Sequence, residues 1–288
     1  MKILLFSSCF LISSIYISAQ DGMLSSRELE AVESNIYYVQ VDKFTILKQK
    51  VKGLSKKMRK KMDELQLTWN GTGFLTSDGK FITARHVLEP WRYVEDKCDP
   101  LIALNNFIER GGKVDIVFKA TASGGQDSFT FTNNRQLYTF DESKDERSSY
   151  TCSKRTTGCK KISAKLATNS STDWVYIQMG NRPSNLVFNR ELSNNLDRGE
   201  PVHLLSYGLG LHLQQGYSTA SLDPIYSQGI VSQKDLTNGL LSVTNSAFVP
   251  GSSGSPVFVR RGDEYIVIGL ACSRIGQIGF VVPTYNFR

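Results

Sequence analysis

The sequence predicts an all-β protein whose short strands form paired antiparallel barrels. Past residue 65, short runs rich in β-branched and aromatic residues alternate with Gly, Asn, Asp and Ser, which is typical of strands joined by turns. Many short strands of this kind favour closed sheets over one open sheet. The candidate strands are residues 35–41, 73–75, 80–83, 114–119, 174–179, 202–206, 229–231, 240–243, 256–259, 265–271 and 279–282.

The N-terminal residues 1–19 have the pattern of a secretory signal peptide. Lys2 supplies a positive end, residues 3–17 form an apolar stretch, and residues 17–19 (Ile-Ser-Ala) offer a small-residue cleavage site. A membrane helix needs about 20 apolar residues, and this stretch is shorter and interrupted by serines. We therefore expect a secreted or periplasmic domain over residues 20–288, with no membrane span once the signal is removed.

Two stretches are predicted to lie outside the barrels. Residues 43–61 carry nine Lys and Arg residues and no acid, whereas the whole chain has a net charge of +7. This basic helical insertion has two interpretations, a solvated loop or a contact for polyanions, and no nucleic-acid partner is expected. Residues 120–162 are polar and form a second predicted surface excursion, with Cys152 and Cys159 as the preferred disulfide pair. A second disulfide between Cys98 and Cys272 is left open.

A short turn contains the candidate nucleophile. Residues 249–257 read VPGSSGSPV, so Ser253 is flanked by Gly251 and Gly254. A backbone of this composition can present a hydroxyl beside converging N–H groups, as an oxyanion hole requires. A serine also needs a base before it can attack a carbonyl at neutral pH.

The chain has three histidines that could serve as this base. His86 follows a strand that ends in small residues, where a short helix can begin. His203 lies within an alternating strand, which predicts a barrel-wall or surface residue, and His212 lies in a glycine-containing loop. We therefore take His86 as the candidate base.

Four blocks, taken in chain order, resemble the trypsin-like serine proteases of the bacterial branch, which includes the HtrA-type proteases and the glutamyl endopeptidases. The resemblance covers roughly residues 65–284. The blocks are residues 71–75 (GTGFL), 83–87 (TARHV), 172–177 (TDWVYI) and 251–256 (GSSGSP).

This resemblance implies a chymotrypsin-like fold of two six-stranded antiparallel barrels with the site in the cleft between them. It also implies a triad in which Ser253 attacks, His86 is the general base and Asp173 orients the base. The N–H groups of Gly251 and Ser253 are implied as the oxyanion hole. Asp115 is the alternative acid, because it also precedes a β-branched run, but the residues before Asp173 match the family better.

The chain departs from the family at several positions. Ser252 stands where the family has Asp or Asn, which argues against activation by a newly freed N-terminus. Ala247 falls where trypsins have Asp, and Phe248 and Ala271 fall near a hydroxyl residue and a histidine of glutamyl endopeptidases. Cleavage after Lys, Arg or Glu therefore lacks support, and a small or apolar preference is expected. Cys272 falls near a family serine beneath the acid, which implies a buried free thiol.

The expected function is that of an exported serine endopeptidase acting on proteins or peptides through an acyl-enzyme. A catalytically silent binding module of the cell envelope with the same fold is the alternative. An α/β-hydrolase is excluded because no histidine follows Ser253. No cofactor or metal is expected, since the histidines are far apart and no zinc-type spacing occurs. We also expect no PDZ domain after the last strand.

Overall fold

The structure, a computed structural model, describes residues 22–47, 51, 65, 69–94, 100–151, 161–209, 223–234, 236–245 and 248–287. Several sequence predictions concern residues outside these ranges. They are the signal peptide over 1–19, most of the basic segment 43–61, the Cys152–Cys159 pair, Cys98, His212 and Ala247.

Four short helices and sixteen strands make up the regular α and β structure of the described ranges. The helices are α1 (Ser26–Glu33), α2 (Arg85–Leu88), α3 (Pro100–Glu109) and α4 (Arg190–Asn194). The strands are β1 (Ile36–Ile46), β2 (Asn70–Leu75), β3 (Lys80–Thr83), β4 (Val114–Ala122), β5 (Ser128–Thr132), β6 (Tyr138–Phe140), β7 (Asp145–Thr151), β8 (Lys161–Ala167), β9 (Val175–Gln178), β10 (Leu186–Phe188), β11 (Pro201–Ser206), β12 (Ile225–Gln233), β13 (Leu241–Thr244), β14 (Pro256–Arg261), β15 (Glu264–Ile275) and β16 (Ile278–Pro283). No helix in these ranges is both long and apolar enough to cross a bilayer.

The first sheet is a curled half-barrel of seven antiparallel strands in the order β5-β4-β1-β2-β3-β9-β6. Alternation along β4 explains how one face becomes core: Val114, Ile116 and Phe118 are buried, while Asp115 between them is exposed. Inward-facing apolar side chains from the neighbouring strands complete this core.

The second sheet closes into a six-stranded barrel. Its order is β10-β15-β14-β11-β12-β13-β16, and an additional pairing of β15 with β16 closes the ring while β10 lies parallel on the outside. Closure satisfies the backbone hydrogen bonds that an edge strand leaves open. The predicted all-β class with a two-barrel arrangement is confirmed.

The structure differs from the sequence prediction in the two expected excursions. Within residues 120–162, β5 and β6 are the two edge strands of the first sheet. Although this stretch is polar, Phe129 and Phe131 pack into the aromatic core of the sheet and hold it there. At the start of residues 43–61, β1 continues as strand to Ile46, since its pairing with β4 resumes after a bulge at Val41 and Lys43. The basic segment therefore begins as strand and not as helix.

An N-terminal strap, residues 22–33, connects the two sheets. Two residues of the second barrel bind the strap. Gln228 donates to the Gly22 carbonyl, and the Tyr226 hydroxyl accepts from the Leu24 N–H at 3.4 Å. Helix α1 of the strap has a Ser25–Glu28 capping box. The strap then runs directly into β1 of the first sheet.

Candidate active site

His86 and Asp173 meet through two contacts. The Nδ1 atom of His86 lies 2.6 Å from Asp173 Oδ2, and the His86 backbone N–H donates to Asp173 Oδ1 at 2.9 Å. His86 lies in α2, just after β3, and Asp173 follows a 3₁₀ turn in which the Ser171 N–H donates to Asn169 Oδ1 at 2.8 Å. One carboxylate thus fixes both the ring and the backbone of the histidine.

The pKa of His86 is set by two opposing effects. Burial disfavours the imidazolium and lowers the pKa, whereas the charge and hydrogen bond of Asp173 favour it, and the net pKa lies above the ordinary 6.5. Asp173 is almost completely buried, with 4% of its side chain exposed, so its charge is little screened by solvent. The pair is therefore arranged to stabilise a positive charge on His86.

The loop that contains Ser253 packs against the strands that precede His86. The Thr72 N–H on β2 donates to the Ser253 carbonyl at 2.8 Å. Gly254 has φ of 86°, and a Cβ there would lie 2.2 Å from the Thr72 carbonyl oxygen and 2.8 Å from the Ala84 nitrogen. Only glycine fits this approach, which brings the Ser253 loop against the residues just before α2.

The peptide groups around Ser253 leave two N–H groups available. Ser252 and Gly254 donate to the carbonyls of Val249 and Ala271 at 2.9 and 2.8 Å. Within the described ranges, no acceptor meets the N–H of Gly251 or of Ser253. Gly251 has φ of 94°, a conformation that glycine adopts freely. Two unpaired donors beside a serine hydroxyl are the elements of an oxyanion hole.

Ser252 closes the turn before the candidate nucleophile. Its hydroxyl donates to the Val249 carbonyl at 2.7 Å and accepts from the Val249 N–H at 3.1 Å. The residue is buried. A neutral side chain therefore supports the loop at the position where the family usually has Asp or Asn.

A cavity of about 200 Å³ opens beside Ser253. One wall is formed by residues 248–250 with Ser252 and Ser253, and the other by residues 271–274. Phe248 is buried, and its ring packs against Gly279, where a Cβ would lie 2.4 Å from the ring. Among the described lining residues there is no carboxylate, and Arg274 is the one charged side chain.

The remaining sequence candidates lie elsewhere or are buried. Asp115 is exposed on β4, opposite Thr45, and no described contact joins it to His86. His203 is a buried barrel-wall residue whose Nδ1 lies 2.9 Å from Tyr226 Oη, and burial with the Arg260 charge lowers its pKa to about 4. His203 is therefore neutral at pH 7.

Cys272 is a free buried thiol, while Cys98, the partner that the sequence left open, lies outside the described residues. Burial and the Asp173 charge raise the pKa of this thiol to about 12. It lines the cavity beside Ser253 as a neutral group.

Two neighbours of His86 were not singled out by sequence. The Tyr93 ring lies 5.8 Å from the imidazole, and its hydroxyl donates to the Thr172 carbonyl at 3.5 Å. Arg85, the residue before His86 on α2, is fully buried, and its guanidinium lies 6.0 Å from the Tyr93 ring. In the sequence, Arg85 stands between small residues and His86. A guanidinium that is buried at such a position needs ionic partners, and this is the one sequence signal for Arg85. In the described ranges, no group of three or more His, Cys, Asp or Glu side chains could hold a metal ion.

Comparison with known proteins gives a family. The model of the trypsin-like peptidase domain matches residues 71–270, more than half of the chain. Among solved structures, the active form of the Rv3671c protease from M. tuberculosis is 14% identical, with 89% of this chain and 78% of that chain covered and a TM-score of 0.43. The thermostable serine protease AL20 from an extremophilic microorganism is 11% identical, with 88% and 96% covered and a TM-score of 0.43. No curated protein matches the chain. On the match of the family model, the chain belongs to the trypsin-like peptidase family.

Proposed function

We propose that this chain is an exported serine endopeptidase that cleaves peptide bonds through an acyl-enzyme. The observation that carries the proposal is the double contact between His86 and buried Asp173, at 2.6 and 2.9 Å, beside the loop of Ser253. The family supplies the general chemistry, since its members are peptidases. The three side chains then take the roles of nucleophile, base and orienting acid.

In the proposed reaction, Ser253 Oγ attacks the scissile carbonyl while His86 Nε2 takes its proton. Asp173 accepts from Nδ1–H, which keeps Nε2 free to act as the base and stabilises the imidazolium once it forms. The N–H groups of Gly251 and Ser253 receive the oxyanion, and losing such a donor typically costs about 100- to 1,000-fold in kcat. His86 then protonates the leaving amine, and water releases the acyl group by the same steps.

The cavity beside Ser253 supports a small or medium apolar residue on the acyl side of the cleaved bond. Phe248, Val249 and Ala271 contribute apolar lining, and no described carboxylate is present to pair with Lys or Arg. The neutral Cys272 thiol adds a further apolar wall. Export and contact of residues 43–61 with polyanions stay predictions from the sequence.

The alternative, a silent binding module, is separated from the enzyme by covalent labelling. A fluorophosphonate probe is expected to label the folded wild-type protein and to leave Ser253→Ala unlabelled, because only an activated serine reacts. Ser255→Ala is the matched control, since its buried hydroxyl has no hydrogen-bond partner in the described structure. Folded wild-type protein that resists the probe would support the binding module, and labelled Ser253→Ala would contradict the assignment of the nucleophile.

A further inference from the structure

We propose that Arg85 is a positioning residue, whose buried ion pair with Asp145 holds His86 against Asp173. The inference rests on the proposed function of His86 and Asp173. It adds a residue that contacts neither substrate nor the reacting atoms and acts through its neighbour in the chain.

Arg85 is enclosed by carboxylates although only 1% of its side chain is exposed. Its Nη1 and Nη2 atoms donate to the two oxygens of Asp145 at 3.1 and 2.8 Å, and its Nε donates to Glu89 at 3.0 Å. Nη2 also donates to Glu142 at 3.2 Å. A bidentate guanidinium–carboxylate pair fixes orientation as well as distance, which a single point charge does not.

Asp145 connects this pair to the acid of the dyad. It is completely buried and begins β7, where it pairs in register with Ala167 at the end of β8. The chain leaves β8 at Ala167, enters the turn capped by Asn169 and reaches Asp173. Through its ion pair with Asp145, Arg85 thus connects the backbone next to His86 to the start of the segment that contains Asp173. This connection is separate from the direct contact between His86 and Asp173.

The same ionic cluster ties down the surroundings of α2. Arg135 pairs with Glu89 at 2.7 Å and with Glu142 at 2.5 Å, and Arg92 lies 3.7 Å from Asp145. Buried ion pairs contribute little net stability compared with well-packed apolar residues, so the main effect of the cluster is on geometry. A reacting group displaced by about 1 Å loses on the order of 100-fold in rate.

The decisive variant is Arg85→Lys, which keeps the charge and removes the bidentate geometry. With kcat expressed per labelled active site, we expect a loss of roughly 100-fold in kcat with KM changed less than about threefold. The acid limb of kcat/KM, expected above pH 6.5 in the wild type, should move to lower pH, because a loosened Asp173 contact no longer offsets burial. The described titratable groups against His86 are Asp173 and Tyr93, with Cys272 close to Asp173 and the Arg85 guanidinium 6.0 Å from the Tyr93 ring; burial raises the pKa of Tyr93 and of Cys272, so both are neutral at pH 7.

Arg92→Lys is the matched control. Arg92 is similarly buried in the same cluster, but its closest described carboxylate oxygen is 3.7 Å away and it is not adjacent to His86. We expect it to lower stability without moving the acid limb. If the acid limb moves equally in Arg85→Lys and Arg92→Lys, or moves in neither variant, the positioning role is overturned.

A second readout does not depend on turnover. In the Ser253→Ala background, proton NMR should show a far-downfield His86 Nδ1–H resonance and a titration of the ring above pH 6.5; adding Arg85→Lys should weaken the resonance and lower the midpoint. If Arg85→Lys does not fold, Asp145→Asn, which keeps the shape of the partner, is measured in the same way. An unchanged spectrum refutes the positioning role. If the spectrum changes as expected but the wild-type protein hydrolyses no peptide, the proposed function is refuted and the positioning role is not.

Discussion

At the scale of single residues, the Asp173 carboxylate is the best-defined group of the site. Both of its oxygens accept from His86, one from the ring and one from the backbone. The sequence predicted this acid and left Asp115 as a rival, since both precede β-branched runs. The β-branched pattern alone did not decide between them, and the family resemblance favoured Asp173; the side a carboxylate faces depends on strand register, and on β4 this register turns Asp115 outward.

Replacing Asp173 by Asn is expected to lower kcat by about 10⁴-fold, because the amide no longer selects the tautomer in which Nε2 accepts the serine proton. Asp115→Asn is the control and should leave kcat within about twofold, since exposed substitutions rarely disturb a distant site. Steady-state kinetics on a peptide substrate measures both variants. A large loss in Asp115→Asn with little effect in Asp173→Asn would reverse the assignment of the acid.

At the scale of elements, Phe248, which lines the cavity beside Ser253, packs against strand β16. Gly279 on β16 lacks the side chain that would overlap the Phe248 ring, so the ring can pack directly against this strand. Sequence reasoning placed Phe248 near this pocket, but the close approach to Gly279, 31 positions later in the numbering, depends on the pairing of β13 with β16. Such long-range register is not encoded in a local pattern.

Phe248→Ala is expected to enlarge the cavity and to shift the preference toward aromatic residues at the cleavage site. The ratio of kcat/KM for Phe over Val substrates should rise by about 10- to 100-fold, in line with the range for hydrophobic pockets. A series of fluorogenic peptides that differ only in this residue measures the ratio. Phe131→Ala, a buried ring of the first sheet, is the control for general loss of packing; a similar shift there, or none in Phe248→Ala, would contradict the role of Phe248.

At the scale of the whole molecule, a half-barrel and a closed barrel are joined by the strap. The strand-and-turn pattern was enough to predict the all-β class, because the second barrel has strong β-branched strands with clear turns. The edge strands β5 and β6 escaped prediction, since polar residues surround the few aromatics that pack inward. The strap also escaped prediction, because its partners lie at the far end of the sequence.

Leu24 anchors the strap in the apolar core that includes residues of both sheets. It is 6% exposed, so Leu24→Ala is expected to lower the free energy of unfolding by about 2 kcal/mol or more. Its neighbour Met23 is 58% exposed, and Met23→Ala should change that free energy by less than about 0.5 kcal/mol. Urea titrations of the two variants measure the difference; equal effects would show that the strap contributes no packing energy.

The strap also constrains the order in which the molecule can be completed. Gly22 and Gln228 are 206 positions apart, and Leu24 and Tyr226 are 202 apart. On a ribosome, the strap emerges before its partners on β12, so the first sheet lacks this support until β12 has been synthesised. Closing so long a loop makes docking a slow, late event. A docked strap therefore reports that β12 is in place, and a product that stops before β12 would lack the partners of Gly22 and Leu24.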